Sequence, residues 1–299
     1  MRMLTQQRQK EGQCNMMKKN KIRGLALIMT ATMLLAGMTA CGEKESSLPD
    51  LSAMGPVTAV SREEGSGTRD AFETLLNLPE TDTGTVAEST EEALKTVEKD
   101  ENAIAYVAYS AATATEGKIL QIDGVAPSED SISDDSYPLC REYCLAYSGE
   151  LSEVGQDFLS YVVSEGQDIV GEYCVPVESS KTFLSDQSQG KLVIAGSTSM
   201  ETMMKSLAEA YQKLNPNAEI EIQATDSSRG LTSAISGECD LAMSSRELKD
   251  YESELLETKA IGKDAVAIVV NKENPLESLT TKQLTSLYDG SCEKWSDLS

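Results

Sequence analysis

The stretch that decides the fold runs from residue 57 to residue 76 and reads Val-Thr-Ala-Val-Ser-Arg-Glu-Glu-Gly-Ser-Gly-Thr-Arg-Asp-Ala-Phe-Glu-Thr-Leu-Leu. An apolar strand at its start is followed by a turn rich in serine, threonine and glycine. After the turn, Ala71, Phe72, Leu75 and Leu76 recur at the spacing of one helix face. Units of strand, polar turn and helix predict an α/β fold.

Two further units of this kind follow. Residues 191–195 form a short apolar strand, and Gly-Ser-Thr-Ser at 196–199 opens a helix that stops before Pro216. Residues 218–223 alternate like a strand, and Asp-Ser-Ser-Arg-Gly at 226–230 opens another helix. The first turn of a helix has unpaired N–H groups and a positive dipole end, which favour anions. One such serine is ordinarily an N-cap, but three such turns in one chain predict an oxyanion site.

An arginine near these turns is the expected charge partner of the anion. Guanidinium groups bind oxyanions in a bidentate manner and keep their charge when buried. Arg62, four residues before Ser66, is the first choice for this role, and Arg69 and Arg246 are weaker ones. Glu63 and Glu64 are either a solvated pair or the groups that hold Arg62 in position. A third interpretation, paired carboxylates for acid–base catalysis, lacks a partner base or metal motif.

The composition of the 299 residues excludes several function classes. The chain carries a net charge of −23 and has no histidine, which removes Ser-His and Cys-His nucleophile pairs and histidine-containing zinc sites. Nucleic acid is an unsuitable partner for so acidic a chain, because phosphate contacts need clustered Lys and Arg. Binding of an anion by such a chain must rely on desolvated donors at short range, since salt screens charge beyond about 8 Å.

The N-terminal region predicts export. Residues 1–40 carry seven basic residues and one acid, a balance of +6, which leaves −29 for the rest of a chain whose total is −23. A basic patch at 18–23 precedes the apolar run 25–36, which is shorter than the roughly 20 residues of a membrane span and has the layout of a signal peptide. Small residues before Cys41 resemble the lipobox (38–41) of bacterial lipoproteins, which implies cleavage after residue 40 and lipidation of Cys41. Residues 41–50 are then a polar tether.

Five cysteines remain after Cys41, namely Cys140, Cys144, Cys174, Cys239 and Cys292. Their odd number excludes a full disulfide framework. Cys140 and Cys144 lie four apart in a segment that reads as a strand, which places them roughly 13 Å apart, too far for a disulfide. Buried thiols are the expected state, with no metal and no cofactor.

At the motifs just described, the chain resembles the phosphate-binding proteins of bacterial phosphate ABC importers, the PstS family. Residues 61–72 carry the most specific resemblance, and residues 191–207, 226–235 and 240–247 are also similar. The resemblance implies a two-lobed periplasmic-binding-protein fold of type II. Each lobe is a mixed sheet flanked by helices, and the ligand lies in the cleft between the lobes.

The resemblance also implies the ligand-binding residues. The matched positions are Thr198, Ser199, Ser227, Ser228, Ser245, Arg62, Ser66, Gly67 and Thr68. Ser227 or its neighbour Ser228 matches the serine of the second turn. Many members have an aspartate where this chain has Ser245, and that aspartate accepts the proton of hydrogen phosphate. Discrimination between phosphate and sulfate is therefore open, and Asp226 is a possible substitute acceptor.

The order of the two halves departs from the family. Residues 55–178 resemble the second half of the family sequence and residues 190–299 the first half, which predicts a circular permutation with 178–190 as the new linker. Lobe two would then comprise 50–137 and 277–299, and lobe one would be continuous at 138–276. A tandem array of binding proteins is the alternative.

The resulting hypothesis is a monomeric, lipid-anchored protein at the outer face of the bacterial membrane that delivers phosphate to the permease of an ABC importer. It is not an enzyme and has no catalytic residues. A binding protein for sulfate, molybdate or tungstate is the second hypothesis. A surface phosphatase and a degraded gene product that cannot close are the remaining alternatives.

Overall fold

The computed structural model describes residues 48–79, 84–177 and 182–299. Residues 1–47, including the predicted signal peptide, the lipobox and most of the tether, lie outside the described residues. The strands are β1 Thr58–Arg62, β2 Thr85–Ala87, β3 Ala103–Ala108, β4 Lys118–Ile119, β5 Gln121–Ile122, β6 Cys140–Tyr147, β7 Val175–Pro176, β8 Gly190–Ser197, β9 Ala218–Thr225, β10 Leu241–Ser244, β11 Glu257–Val270 and β12 Ser278–Leu279.

The helices alternate with these strands as the periodicity predicts. They are α1 Gly67–Leu76, α2 Thr90–Lys99, α3 Tyr109–Ala112, α4 Glu129–Ser133, α5 Glu153–Val162, α6 Gln167–Val170, α7 Glu201–Leu214, α8 Ser227–Ser236, α9 Asp250–Ser253 and α10 Thr281–Tyr288. Short 3₁₀ turns cover Thr198–Met200 and Trp295–Asp297. Among the described helices, none has the length and apolar character that crossing a membrane requires.

Two groups of strands form the two lobes: the split lobe, built from β1 to β3 and the C-terminal residues after 276, and the continuous lobe, built from β6 and β8 to β10. In the first, β1 pairs in parallel with β2 and β3, and β3 pairs antiparallel with the end of β11. In the second, β8 pairs in parallel with β9 and β10, and β6 lies antiparallel between β10 and the start of β11. Parallel pairing directs the carboxyl ends of β1 and β3 to one edge of the first lobe, and those of β8, β9 and β10 to one edge of the second.

Strand β11 joins the lobes because it belongs to both sheets. Ala265 pairs with Cys140 of β6, whereas Val266 pairs with Ala108 of β3. Residues 266–276 therefore pack with the split lobe, although the sequence analysis assigned them to the continuous lobe up to 276. The difference arises because β11 is a single 14-residue strand that crosses from one sheet to the other without a turn.

Each lobe has its own apolar core. The split lobe packs Phe72 against Tyr106 with ring centroids 4.0 Å apart, and buries Trp295 in the same cluster. The continuous lobe packs Phe158 against Tyr211 with ring centroids 5.2 Å apart. Separate cores allow the lobes to behave as bodies joined by a strand that both share.

The five cysteines beyond residue 47 are free thiols within the described residues, and four of them are buried. Cys140 and Cys144 both lie on β6, as the sequence predicts. Burial raises the pKa of the Cys140 thiol to about 11 and that of Cys144 to about 12. No cluster of three or more His, Cys, Asp or Glu suited to a metal occurs in the part of the chain that the structure describes.

Candidate functional site: polar turns that meet between the lobes

The polar turns that the sequence singles out meet across the cleft. Arg62 Nη2 of the split lobe donates to Thr198 Oγ1 of the continuous lobe at 3.2 Å. Thr68 Oγ1 lies 2.9 Å from Ser199 Oγ. The amide of Ser228 donates to the carbonyl of Gly65 at 3.2 Å. Helices α1 and α8 therefore present their N-termini to each other, as the anion-site hypothesis requires.

Arg62 is fixed at the end of β1 by an acid beside it in the sequence. Its Nε and Nη2 donate to the two carboxylate oxygens of Glu63, each at 2.8 Å, and Nη1 donates to Thr90 Oγ1 at 3.1 Å. The side chain is 1% exposed. The hypothesis that Glu63 holds Arg62 is confirmed. Together with the Thr198 bond, these contacts use four of the five N–H groups of a guanidinium, which leaves one Nη1 donor without a partner among the described residues.

Gly67 permits the close approach of the two helix N-termini. A Cβ atom at this position would lie 2.1 Å from Ser227 Oγ and 2.6 Å from Ser245 Oγ. Any side chain here would push the two lobes apart. The requirement for glycine is thus steric, and it comes from the opposite lobe.

Four hydroxyl groups of the site each accept a hydrogen bond from a neighbouring group, two of them from the opposite lobe. Thr198 accepts from Arg62, Ser227 accepts from the amide of Ser245 at 3.2 Å, and Ser245 accepts from the hydroxyl of Ser197 at 2.9 Å. Thr68 accepts from Arg141 Nη1 at 2.8 Å. A hydroxyl has one proton and two lone pairs, so a hydroxyl that accepts one hydrogen bond can still donate its own proton to another acceptor. Each of the four thus keeps a proton that it can donate, and Ser227 Oγ and Ser245 Oγ also lie 3.4 Å from each other.

Ser66 and Ser228 lie at the edge of this set. Ser66 is the N-cap of α1 and accepts from the amide of Arg69 at 3.4 Å. Ser228 accepts from Arg246 Nη2 at 3.0 Å. Of the two serines that open α8, Ser227 faces Ser245 and Gly67, whereas Ser228 faces the rim.

The remaining predicted residues, Arg69, Asp226 and Arg246, bind protein groups around the site. Arg69 Nη1 donates to the carbonyl of Arg62 at 3.1 Å. Asp226 caps α8, with Oδ1 accepting from the amide of Arg229 at 2.7 Å and Oδ2 3.2 Å from Arg229 Nε. These contacts engage both carboxylate oxygens of Asp226, the suggested substitute acceptor. Arg246 is bound by Glu252 through two hydrogen bonds of 2.7 and 2.9 Å.

Arg141 on β6 is the main site residue that the sequence analysis missed. Its Nη1 donates to Thr68 Oγ1 and to the carbonyl of Ser245, and its Nε and Nη2 donate to Asp264 Oδ2 at 3.1 and 2.9 Å. The sequence signal for it is an isolated arginine in a strand whose other inward residues are apolar, and the cysteines of that strand do not indicate its role. Ser197, which donates to Ser245, was missed as well.

The hydroxyl of Tyr106 contacts the last two residues of β1. It accepts from the amide of Arg62 at 3.0 Å and lies 2.9 Å from Ser61 Oγ. Burial raises the pKa of Tyr106 to about 12, so the phenol stays protonated at neutral pH. A neutral phenol adds no negative charge next to the candidate site.

A groove of about 830 Å³ lies beside the site. It reaches from Asp70 and Glu73 on α1 to Lys263 on β11, and Arg141 and Arg246 line it as well. Its walls carry both signs of charge, and of the nine predicted site residues none lines it. The groove lies beside the four hydroxyls, and those of Thr68, Ser227 and Ser245 belong to buried residues.

Comparison with known proteins places this architecture in a class. A family model described as a PBP superfamily domain matches residues 18–166 and 182–299. Two lobes that share one strand, with the donor turns of both facing the cleft, are a binding-protein clamp of that superfamily.

Within the superfamily, the chain belongs to the PstS-type phosphate-binding proteins. The phosphate-binding protein PstS 2 of Streptococcus agalactiae serotype V is 37% identical over 298 residues, which cover 95% of this chain and all of that protein. PstS 2 of Streptococcus pneumoniae serotype 4 is 36% identical over 272 residues, or 87% of this chain and 93% of the relative. These relatives are named as binding proteins, not as enzymes.

A solved structure agrees with the sequence relatives. The crystal structure of the phosphate-binding protein of a phosphate ABC transporter from Streptococcus pneumoniae superposes with a TM-score of 0.68 at 35% sequence identity. The match covers 82% of this chain and all of that protein. The predicted two-lobed fold and family are thereby confirmed.

Proposed function

We propose that this chain binds inorganic phosphate between its two lobes and delivers it to the permease of an ABC importer. The observation that carries the proposal is the set of four hydroxyls, each of which accepts a hydrogen bond and keeps its own proton to donate, next to the spare Nη1 donor of Arg62. Such a set offers protons and a buried positive charge to one ligand. Hydrogen phosphate has several oxygens that can accept from these donors, and its own proton then needs an acceptor in the site.

The acidity of the chain is compatible with this ligand. Arg62 and the N-termini of α1 and α8 act over a few ångströms, whereas the net negative charge acts through solvent and is screened beyond about 8 Å. Binding therefore depends on expelling water from the cleft when the lobes close.

Isothermal titration of the chain with phosphate tests the proposal. We expect saturable heat with one phosphate bound for each chain, together with a rise in melting temperature through ligand linkage. Absence of both heat and thermal shift at millimolar phosphate would remove the proposal. Failure to hydrolyse a chromogenic phosphate ester is expected from a site built of donors without a nucleophile–base pair.

A second oxyanion is favoured by one specific feature, the serine at position 245. None of the nine predicted site residues carries a carboxylate, so among them only a hydroxyl or a backbone carbonyl can accept the proton of hydrogen phosphate. A hydroxyl accepts that proton but does not repel a fully deprotonated anion. Sulfate, molybdate or tungstate is therefore the alternative ligand, and displacement of bound phosphate by each of them measures the preference directly.

The cell-surface location is part of the proposal. The basic and apolar segments of residues 1–40, followed by Cys41, support export and a lipid anchor that holds a monomer at the outer face of the membrane. Labelling of the chain by a radiolabelled fatty acid in the producing bacterium, and its loss on Cys41→Ser substitution, tests the anchor.

The exchanged order of the halves is supported by the extent of the matches. The alignment with PstS 2 of S. agalactiae runs through the whole relative, whereas the match to PstS of Pseudomonas aeruginosa covers 107 residues, 33% of each chain. A colinear alignment of two chains with exchanged halves can include only one half at a time. The order shared with the streptococcal relatives is thus proposed to be the permuted one.

The contact between the first and last described segments also supports the permutation. The amide of Val57 donates to the carbonyl of Glu293 at 2.9 Å, and Pro56 bridges to Lys294. We expect that a chain opened between residues 185 and 186, with residue 299 joined to residue 50 by a short linker, folds and binds phosphate like the parent. An unfolded product by circular dichroism would oppose the permutation.

A further inference from the structure

Strand β6 carries a buried arginine beside the proposed phosphate site. The side chain of Arg141 is 3% exposed, and Asp264 on the adjacent strand β11 is fully buried. Five hydrogen bonds engage the guanidinium: two to Asp264 Oδ2, one to Tyr143 OH, one to Thr68 Oγ1 and one to the carbonyl of Ser245. The guanidinium also lies over the ring of Tyr143 at 5.2 Å.

The donor count shows that Arg141 does not serve the ligand directly. A guanidinium has five N–H groups, and each of the five bonds uses one of them. Arg62 differs, because it retains one Nη1 donor. A bound anion would thus be contacted by Arg62, while Arg141 acts on the groups that surround the anion.

Arg141 sets the direction of the Thr68 hydroxyl. An arginine has no acceptor atom, so Thr68 Oγ1 must be the acceptor in this bond. The single proton of Thr68 then points away from Arg141, toward Ser199 Oγ at 2.9 Å or toward an anion placed between them. Without Arg141, the hydroxyl would be free to rotate its proton out of the cleft.

Arg141 also spans the two lobes. Thr68 belongs to α1 of the split lobe, and Ser245 follows β10 of the continuous lobe. Both bonds come from the same nitrogen, Nη1, at 2.8 and 3.2 Å. Asp264 lies on β11 next to the point at which this strand passes between the sheets. The pair therefore connects the shared strand to the Thr68 hydroxyl of one lobe and to the Ser245 carbonyl of the other.

We propose that Arg141, anchored by Asp264, is a positioning residue that holds the Thr68 hydroxyl and the Ser245 backbone in register for anion binding when the lobes are closed. This inference rests on the proposed phosphate binding. It assigns to Arg141 a role in affinity that it exerts through Thr68.

The test uses a double-mutant cycle with phosphate titration as the readout. Removing Arg141 alone would leave Asp264 buried without its partner, so the variant is the pair Arg141→Met with Asp264→Asn. It is measured with and without Thr68→Val, which removes the hydroxyl at nearly constant shape. Arg141→Lys is a second, independent variant, because an ammonium cannot reproduce the planar fork that serves Thr68, Ser245 and Asp264 together.

We expect the Arg141/Asp264 pair variant to fold and its Kd for phosphate to rise about tenfold, the order of one lost charge-assisted hydrogen bond. Thr68→Val should raise the Kd in the parent background but add little in the pair variant. A purely structural role predicts instead that Thr68→Val has the same effect in both backgrounds.

Two outcomes would overturn the inference while leaving the proposed function intact. One is a folded pair variant with parental Kd, and the other is full additivity with Thr68→Val. Should the pair variant not fold, Arg141→Lys decides the question by the same comparison, with an unchanged Kd counting against positioning. If the parent chain itself does not bind phosphate, the proposed function fails first, and the positioning role fails with it.

Discussion

At the scale of single residues, the site is organised by two buried arginines with different tasks. Arg62 donates to both oxygens of Glu63, to Thr90 and to Thr198, and keeps one N–H donor for a ligand. Arg141 uses all five of its N–H donors, two of them on Asp264. The difference follows from the number of hydrogen bonds, since both side chains are charged and almost fully buried. A buried arginine is thus available to the ligand only where the surrounding protein groups, counter-ion included, leave one of its N–H donors unused.

Replacing Arg62 by alanine tests its assignment as the charge partner of the anion. We expect the Kd for phosphate to rise by about a hundredfold, because a charge-assisted hydrogen bond in a desolvated site contributes about 3 kcal/mol. Isothermal titration gives the value directly.

Lys191→Ala is the matched control for Arg62→Ala, since the Lys191 side chain is 49% exposed and lies near the start of β8, at the far end of the strand from Thr198. It removes the same charge from the protein without entering the site, and its Kd should stay near that of the parent. If Arg62→Ala binds phosphate as well as the parent does, Arg62 is not the charge partner.

At the scale of elements, the three predicted strand–turn–helix units are all present, and their N-termini converge. Helix α1 starts at Gly67, α8 at Ser227, and the 3₁₀ turn at Thr198 precedes α7. Local sequence predicts these units because strand alternation, turn residues and helix spacing are properties of neighbours along the chain. It does not predict Arg141, since Arg141 and Thr68 are 73 residues apart and meet only through tertiary packing.

Replacing Gly67 by alanine tests the contact between helices α1 and α8. The added methyl group would collide with Ser227 Oγ on the other lobe, so closure is impeded while each lobe keeps its own core. We expect weaker phosphate binding by at least about tenfold, little change in melting temperature, and a larger radius of gyration in X-ray scattering with phosphate present.

Gly171→Ala is the control for this substitution. A Cβ at Gly171 would meet its nearest neighbour at 3.5 Å, an ordinary contact, and the residue has φ of −63°. The Gly171→Ala protein should close its lobes and bind phosphate like the parent. A compact, tight-binding Gly67→Ala protein would mean that the two helix N-termini do not need to approach so closely.

At the scale of the whole molecule, the ion pair between Asp70 and Arg246 links the lobes and does not involve the four donor hydroxyls. Asp70 Oδ2 on α1 lies 2.8 Å from Arg246 Nε, which follows β10. Burial raises the pKa of the Asp70 carboxyl, and Arg246 opposes the rise. Closure thus brings a carboxylate out of water, and the arginine of the other lobe offsets only part of the cost.

The pH dependence of stability follows from that raised pKa. Folded Asp70 binds its proton more readily than unfolded Asp70, so its contribution to stability decreases as the pH rises from the ordinary value of 3.8 through the folded pKa. Asp70→Asn removes this dependence. We expect the stability of the variant relative to the parent to increase between about pH 4 and pH 7 in urea unfolding.

Glu221→Gln serves as the control for the Asp70 experiment. Glu221 pairs with Lys191 inside the continuous lobe, and the hydrogen bond from Lys191 lowers the pKa of this exposed carboxyl. Its contribution is present above the unfolded pKa and lost as the pH falls through the folded pKa, so the relative stability of this variant should change slightly in the opposite direction. The same trend in both variants would show that the total charge, rather than the link between the lobes, is responsible.

The placement of the single tryptophan has a practical consequence. Trp295 is the only indole in the sequence, it is buried in the core of the split lobe, and its Nε1 donates to the carbonyl of Asn102 at 3.1 Å. Its intrinsic fluorescence therefore reports on one lobe alone, with no label added. During denaturation, the emission maximum of Trp295 moves to longer wavelength when the split lobe unfolds. If this shift precedes the loss of the far-ultraviolet circular dichroism signal, the split lobe, where the two chain segments meet, is the first part of the molecule to unfold.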